Sequence, residues 1–198
     1  MQNDKYHHGD LRESLIKTGL KLYNEEGAEK FSLRKVAALC NVSHAAPYKH
    51  FKSKEDLINA ISEYVFSNFG NSLNEIVEKY RTHDPYDRII ELGKKYVMFM
   101  VENPDYLRFA FSQNYESEVI IENNNLESCG YGTFNIFKNC AIDYLRSINA
   151  KEEQYTQHII AMWAMVHGLA TMLSNKMFAY QGDYIKLVEK ILRQNLRF

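Results

Sequence analysis

Apolar residues in this chain recur every three or four positions almost throughout, and no stretch alternates convincingly between apolar and polar as a half-buried strand would. That period sets the class: apolar faces repeating at the helical spacing are buried by packing helix on helix. An all-α fold is expected. Leu11, Leu15, Leu22 and Tyr23 mark one face of a first helix, with Asp10 as its N-cap and Gly27 as its stop. Ser32 caps a short helix through Leu39, and Asn41 suits the left-handed residue of a tight turn after it. Ser53, with Asp56 three residues on, opens a long helix striped by Leu57, Ile61, Val65, Phe69, Leu73, Ile76 and Tyr80. Asp84-Pro85 and Asn103-Pro104 each set a capping residue before a proline at the first helical position. Gln113 to Gly132, with three consecutive asparagines, reads as a loop. Later helices are expected over about Thr133–Ser147, about Lys151–Lys176 and from Asp183 to the end.

The 198 residues are 45% hydrophobic and 25% charged, which is ordinary for a chain that buries a core. Cys40, Cys129 and Cys140 share no metal-type spacing and cannot all pair, so a reduced, cytoplasmic setting is expected. The opening MQNDKYHHGD has no apolar stretch like a signal peptide, and the run Ile159 to Leu173 is broken by His167 and Gly168, short of the ~18 apolar residues of a membrane span. Residues 1–54 hold ten Lys/Arg against six Asp/Glu, a charge of +4, and the remainder holds fourteen against nineteen, −5. A basic head on an acidic body suggests an anionic partner for the head.

The segment NVSHAAPYKHFKSKEDL, Asn41 to Leu57, narrows that partner. With Ser43 as N-cap, Pro47 is the fourth helical position and forfeits only the first ladder bond, so a very short helix from Ser43 to Lys49 tolerates it. Paired with Ser32–Leu39 across a turn at Cys40-Asn41-Val42, it has the proportions of a helix-turn-helix, whose second helix meets base edges in the major groove. Ala45 and Ala46 allow close backbone approach, His44 can donate or accept at a base edge, and Ser32, Ser43 and Ser53 bring hydroxyls and free amides suited to phosphates. Tyr48, Lys49, His50 and Lys54 add donors nearby, and Arg34 and Lys35 flank them.

Here FSLRKVAALCNVSHAAPYKHFKSKEDLINA resembles the DNA-binding signature of the tetracycline-repressor (TetR) family of regulators, and YHHGDLRESLIKTGLKLYNEEG resembles its first helix. Cys40-Asn41 and Lys49 depart from the family's usual small residue with glycine and its second tyrosine. Trp163, His167 and Gly168, a Trp-x-x-x-His-Gly run, resemble one subgroup. The resemblance implies a homodimeric regulator, a repressor by default, that binds a palindromic operator in double-stranded DNA and answers to a small-molecule effector. It implies an N-terminal three-helix bundle with the helix-turn-helix over 1–52 and a helical effector-binding and dimerisation domain over 53–198. By position, Ser32, Ser43, Tyr48, His50 and Lys54 match phosphate contacts, and His44, Ala45 and Ala46 match base-facing places.

In the larger part, flat and adaptable side chains suggest a mainly apolar ligand site lined by Tyr96, Phe99, Met100, Phe109, Phe134, Phe137, Trp163 and His167. Ala161, Ala164, Gly168 and Thr171 keep one ridge of the penultimate helix low, and Ile185, Val188, Ile191, Leu192 and Leu196 line the last, so the last two helices are the expected dimer contact. No nucleophile elbow, zinc-protease motif or phosphate loop occurs, so neither catalysis nor a cofactor is expected. The alternatives are a metal- or redox-responsive regulator of the same fold, through His7-His8 or Cys40, and a helical interaction protein that does not read DNA.

Overall fold

A computed structural model describes residues 8–111, 119–122, 125–128 and 132–196. The fold is all-α apart from one small hairpin: α1 (His8–Lys30), α2 (Leu33–Leu39), α3 (Lys54–Lys79), α4 (Pro85–Glu102), α5 (Pro104–Ala110), α6 (Thr133–Ser147), α7 (Tyr155–Ser174) and α8 (Tyr184–Asn195). Strands β1 (Val119–Glu122) and β2 (Asn125–Ser128) pair antiparallel inside the segment expected to be loop, which corrects that expectation. Four-residue strands are too short to show a period of their own. His7, Cys129 and most of the asparagine run lie outside the described residues, as do the side chains of His8 and Asp10; α1 begins at His8, two residues before the expected cap.

The described chain divides into two compact units. The first holds residues up to Val65 together with 108–111; the second holds 66–107 and everything from Val119 on.

In the first unit the expected stripes are the core. Leu15, Tyr23, Val36, Leu57, Ile61 and Val65 are all buried, joined by Phe31 and Phe51. Gly27 interrupts α1 at φ 75° and ψ 170°, a conformation essentially confined to glycine that would cost a side chain about 1–3 kcal/mol. Ser32 caps α2 with its hydroxyl, accepting from the Lys35 amide at 3.3 Å. At the other end Asn41 sits at φ 55°, its amide donating to the Ala38 carbonyl while the Val42 amide donates to Ala37. That pair of bonds is a Schellman cap, with asparagine in the place glycine usually takes. Ser53 accepts from the Asp56 amide at 3.2 Å, and the Asp56 carboxylate accepts from Lys52 at 2.9 Å, so α3 opens on a nearly reciprocal box.

In the second unit α4 is the central helix, packed against α6, α7 and α8, and α6 also packs on α7. Ile90, Val97 and Met100 of α4 are fully buried, as are Ala141 and Leu145 of α6 and Val188 of α8. Asp84 caps α4 as expected, its carboxylate accepting from the Tyr86 amide at 2.7 Å. Asn103 does not cap α5 with its side chain; its amide turns back and donates to the Phe99 carbonyl at 2.8 Å, closing α4 instead. Tyr80 lies beyond the end of α3 and packs on His83 with the rings tilted, 4.9 Å between their centres. α7 is shorter than expected, with a 3-10 turn at Glu152–Gln154 leading into it.

Candidate functional site

The segment after α2 is the main correction to the sequence reading. No α-helix starts at Ser43. Ser43 offers its carbonyl, not a side-chain cap: the Ala46 amide donates to it at 2.9 Å, making a single turn. Pro47 then opens a 3-10 helix, Pro47–Lys49, in its first turn, where its missing donor is no loss. The Lys49, His50 and Phe51 amides donate back to Ala46 and Pro47, so the backbone bonds close locally within ten residues. A 3-10 helix rarely exceeds three or four residues, which is why helical spacing alone did not reveal it.

Two side chains fasten this short element. Pro47 and Phe51 are buried, and the Arg12 guanidinium lies 5.5 Å from the Phe51 ring centre. Between and beside them, Ser43, His44, Ala45, Tyr48 and Lys49 are exposed, Tyr48 at 59%, while Ala46 and His50 are half-buried. Arg34 is exposed on α2. Two expected cations are engaged within the unit. The Lys54 ammonium donates to the Ala28 carbonyl at 2.6 Å, just past the break at Gly27, and Lys35 pairs with Glu26. Lys54 therefore stabilises the end of α1 whatever else it does, a role no local sequence signal marks because the partners are 26 residues apart. Cys40 is half-buried against α1, exchanging weak hydrogen bonds with Ser14 at 3.8 Å.

The residues expected to line a ligand site fall into two groups. Phe109 belongs to the first unit, fully buried with its ring edge-on to Tyr23 at 5.0 Å. The others lie in the second. There the Tyr96 hydroxyl stands 3.4 Å from His167 Nδ1, and its oxygen accepts from the Trp163 indole N–H. Phe134 meets Trp163 edge-on at 5.1 Å, and Phe69, which the sequence reading placed only in the α3 stripe, touches both Tyr96 and Phe99 at 5.1 and 5.2 Å. Met100, Phe137 and Tyr96 form the deep part; Phe99, Phe134, Trp163 and His167 are half-buried. Burial pushes the Tyr96 phenol well above its ordinary value and holds the His167 imidazole below its own, so both are neutral at pH 7. On α7, Ala161 and Ala164 are exposed and Gly168 and Thr171 half-buried, whereas Val188, Leu192 and Leu196 of α8 are spent inside the unit. Among the described residues no group of three or more His, Cys, Asp and Glu is placed to hold a metal, and no helix is long and apolar enough to cross a membrane.

A capped helix, a left-handed turn and an exposed, anchored second element define a helix-turn-helix protein with a separate helical body. The sequence pattern of bacterial regulatory proteins of the tetR family matches residues 15–61, and that of the tetracyclin repressor-like C-terminal domain matches 89–194. The chain belongs to the tetR family of bacterial regulatory proteins. It is 26% identical over 123 residues to the uncharacterised helix-turn-helix transcriptional regulator YerO of Bacillus subtilis, covering 62% of this chain and 41% of that one. The chain spans about half the length of the curated relatives it matches. Among solved structures, a protein of unknown function from Rhodococcus sp. RHA1 superposes with TM-score 0.72 at 22% identity, covering 97% of this chain and 96% of that one. FadR of Bacillus subtilis, solved in complex with stearoyl-CoA, superposes with TM-score 0.65 at 14% identity, covering 91% and 95%. At these identities the likeness is one of fold.

Proposed function

We propose that this chain is a one-component transcriptional regulator, a repressor by default, that binds a palindromic operator in DNA as a homodimer and releases or alters that binding when a small molecule occupies its helical body. The observation that carries the reading is the segment 43–50. Small or hydrogen-bonding side chains stand exposed on a backbone pinned by buried Pro47 and Phe51, so the element can be pressed into a groove without unfolding. His44, Ala45 and Ala46 face bases; Ser32, Arg34, Ser43, Tyr48, Lys49, His50 and Lys54 serve phosphates, Lys54 with the ammonium protons it has left after Ala28. Residues 1–52 read DNA and 53–198 sense and dimerise, with Ala161 and Ala164 of α7 offering the partner an exposed low ridge. The Trp163, His167, Gly168 run lies within the matched C-terminal region and supports membership of the subgroup that bears it. The site of action is the cytoplasm, where the DNA is, and the role needs no chemical step. That FadR was solved with stearoyl-CoA supports an effector site in this fold.

The test is selection of bound duplexes from a random DNA pool by purified protein, without added effector. A recovered palindrome supports the reading; no motif from folded, dimeric protein refutes it. On the recovered site, Lys49→Ala should weaken binding across all sequences and lower the salt slope by about one unit, while His44→Ala should relax a single base position by about 1–3 kcal/mol.

A further inference from the structure

A cavity of about 240 Å³ opens in the second unit between α6, the start of α7 and strand β2. It shares no residue with the Tyr96 cluster. Its wall is largely apolar: Leu126 and Ile159 are buried, and Ile142 and Tyr155 are half-buried. Its charges do not balance. Lys138 and Arg146, two turns apart on one face of α6 with Ile142 between them, stand against a single carboxylate, Glu152. The Lys138 ammonium donates to the Leu126 carbonyl at 2.9 Å, which ties β2 to α6 and engages part of that charge. Arg146 and Glu152 are both exposed, so the cavity is reached from solvent, and neither is in an ion pair among the described residues. Tyr155 opens α7 with no side-chain cap at Gln154, so the positive end of a 20-residue helix also borders the space. Arg146, in the last turn of α6, offsets the negative end of that helix.

The volume falls below the about 300–1,000 Å³ of sites for drug-sized ligands. At about 30 Å³ for each water-sized group, it holds roughly eight such groups. A guanidinium fork matches a carboxylate with two parallel hydrogen bonds, whereas an ammonium entering here meets two cations for one carboxylate. We propose that this cavity binds a small molecule with a carboxylate head, taken by Arg146, and a short branched apolar body laid against Leu126, Ile142 and Ile159. A plain acid and an apolar α-amino acid share that chemistry; in the amino acid the ammonium turns to Glu152. Binding here needs no DNA, so its test is separate from that of operator recognition.

The full-length protein is titrated calorimetrically at neutral pH with 4-methylpentanoate, L-leucine, the neutral 4-methylpentanamide and 3-methylbutylamine. The two carboxylates should bind one per chain and at least about tenfold more tightly than the amide or the amine. Arg146→Gln, on an exposed side chain and with an unchanged melting temperature, should cost both carboxylates about tenfold. Arg81→Gln, an exposed cation outside the cavity, should change nothing. Ile142→Phe, which fills the cavity, should abolish binding in protein that still melts cooperatively. Leucine binding more tightly than the acid, with leucine alone weakened by Glu152→Gln, upholds the site and makes the ligand an amino acid. The acid binding more tightly, with leucine indifferent to Glu152→Gln, upholds it and makes the ligand a plain acid. Amide or amine binding as tightly as the acid would overturn the ligand class. Carboxylate affinity unmoved by both Arg146→Gln and Ile142→Phe, or no saturable binding of any compound up to about 10 mM, would overturn the site.

Discussion

Gly93, in the middle of α4, is the sharpest single test of how the helical body is packed. Helix α4 runs beneath both α7 and α8, and a Cβ built on Gly93 would stand 2.8 Å from Leu192 Cδ1 and 3.3 Å from Val166 Cγ1. Carbon atoms are comfortable at about 3.5–4.0 Å, so an added methyl must displace the Leu192 side chain by most of an ångström. Leu192 is 1% exposed and Val166 2%, so neither has empty space to move into. Overpacking of this kind costs roughly 1–3 kcal/mol, against which alanine regains about 1 kcal/mol of helix propensity over glycine. Gly93→Ala should therefore destabilise the body by about 1 kcal/mol, the opposite of what the same change does on an exposed helix face. Urea unfolding followed by Trp163 emission measures it: with a slope of about 2.5 kcal/mol per molar, the midpoint should fall by roughly 0.4 M. Leu192→Val removes the offending methyls and is destabilising alone. In the double variant the two losses should sum to less than their total by about 1 kcal/mol, because the clash is relieved. A Gly93→Ala protein more stable than its parent, or strictly additive losses, would show that α8 does not close over Gly93.

Lys176 follows α7 at φ 52°, with the Lys176 and Met177 amides donating back to Leu173 and Met172, so it occupies the glycine position of a Schellman cap. Lys176→Gly should stabilise the body by about 0.5–1 kcal/mol, the left-handed penalty less glycine's extra chain entropy, and a melting temperature that fails to rise would refute the cap. For His167 the folded pKa lies below the ordinary 6.5, so below pH 6.5 the unfolded chain binds the proton first. Stability should fall as pH drops from 6.5 through the folded pKa, and His167→Gln should flatten that part of the urea midpoint profile; equal slopes in both proteins would deny the burial. Ala164→Glu, on the exposed ridge of α7, should yield monomers that lose operator binding, and a dimer persisting in sedimentation would move the contact elsewhere.

What the sequence made legible are features whose cause is local. A capping hydroxyl or carboxylate sits within three residues of the amide it accepts from, so Ser32, Ser53 and Asp84 announce their helices. Asn41 is legible because few side chains tolerate its backbone. Lys176 occupies the same conformation, yet nothing in lysine's chemistry advertises it; the backbone bonds that close α7 hold it there. The segment after the turn reads as an α-helix from Ser43 but is a single turn followed by a three-residue 3-10 helix, which is too short to show an α-helical period. Asn103-Pro104 does start α5, the Asn103 carbonyl accepting from the Tyr106 amide, but the side-chain amide donates back to Phe99 and closes α4, because an amide donates as readily as it accepts. Distance along the chain sets the remaining boundary. Lys54 finds Ala28 and Phe109 finds Tyr23 across 26 and 86 residues, and no periodicity encodes such pairings. The Tyr96 and His167 pairing stands on that far side too. Tyr96 and His167 lie 71 residues apart, each on a helix whose apolar spacing reads as plain core. What marks the cluster out is chemistry: a buried tyrosine hydroxyl stands 3.4 Å from a half-buried histidine among aromatic rings. Leucine would fill the same space with no polar atoms to satisfy, so the buried Tyr96 hydroxyl must find its partner across helices, as it does at His167.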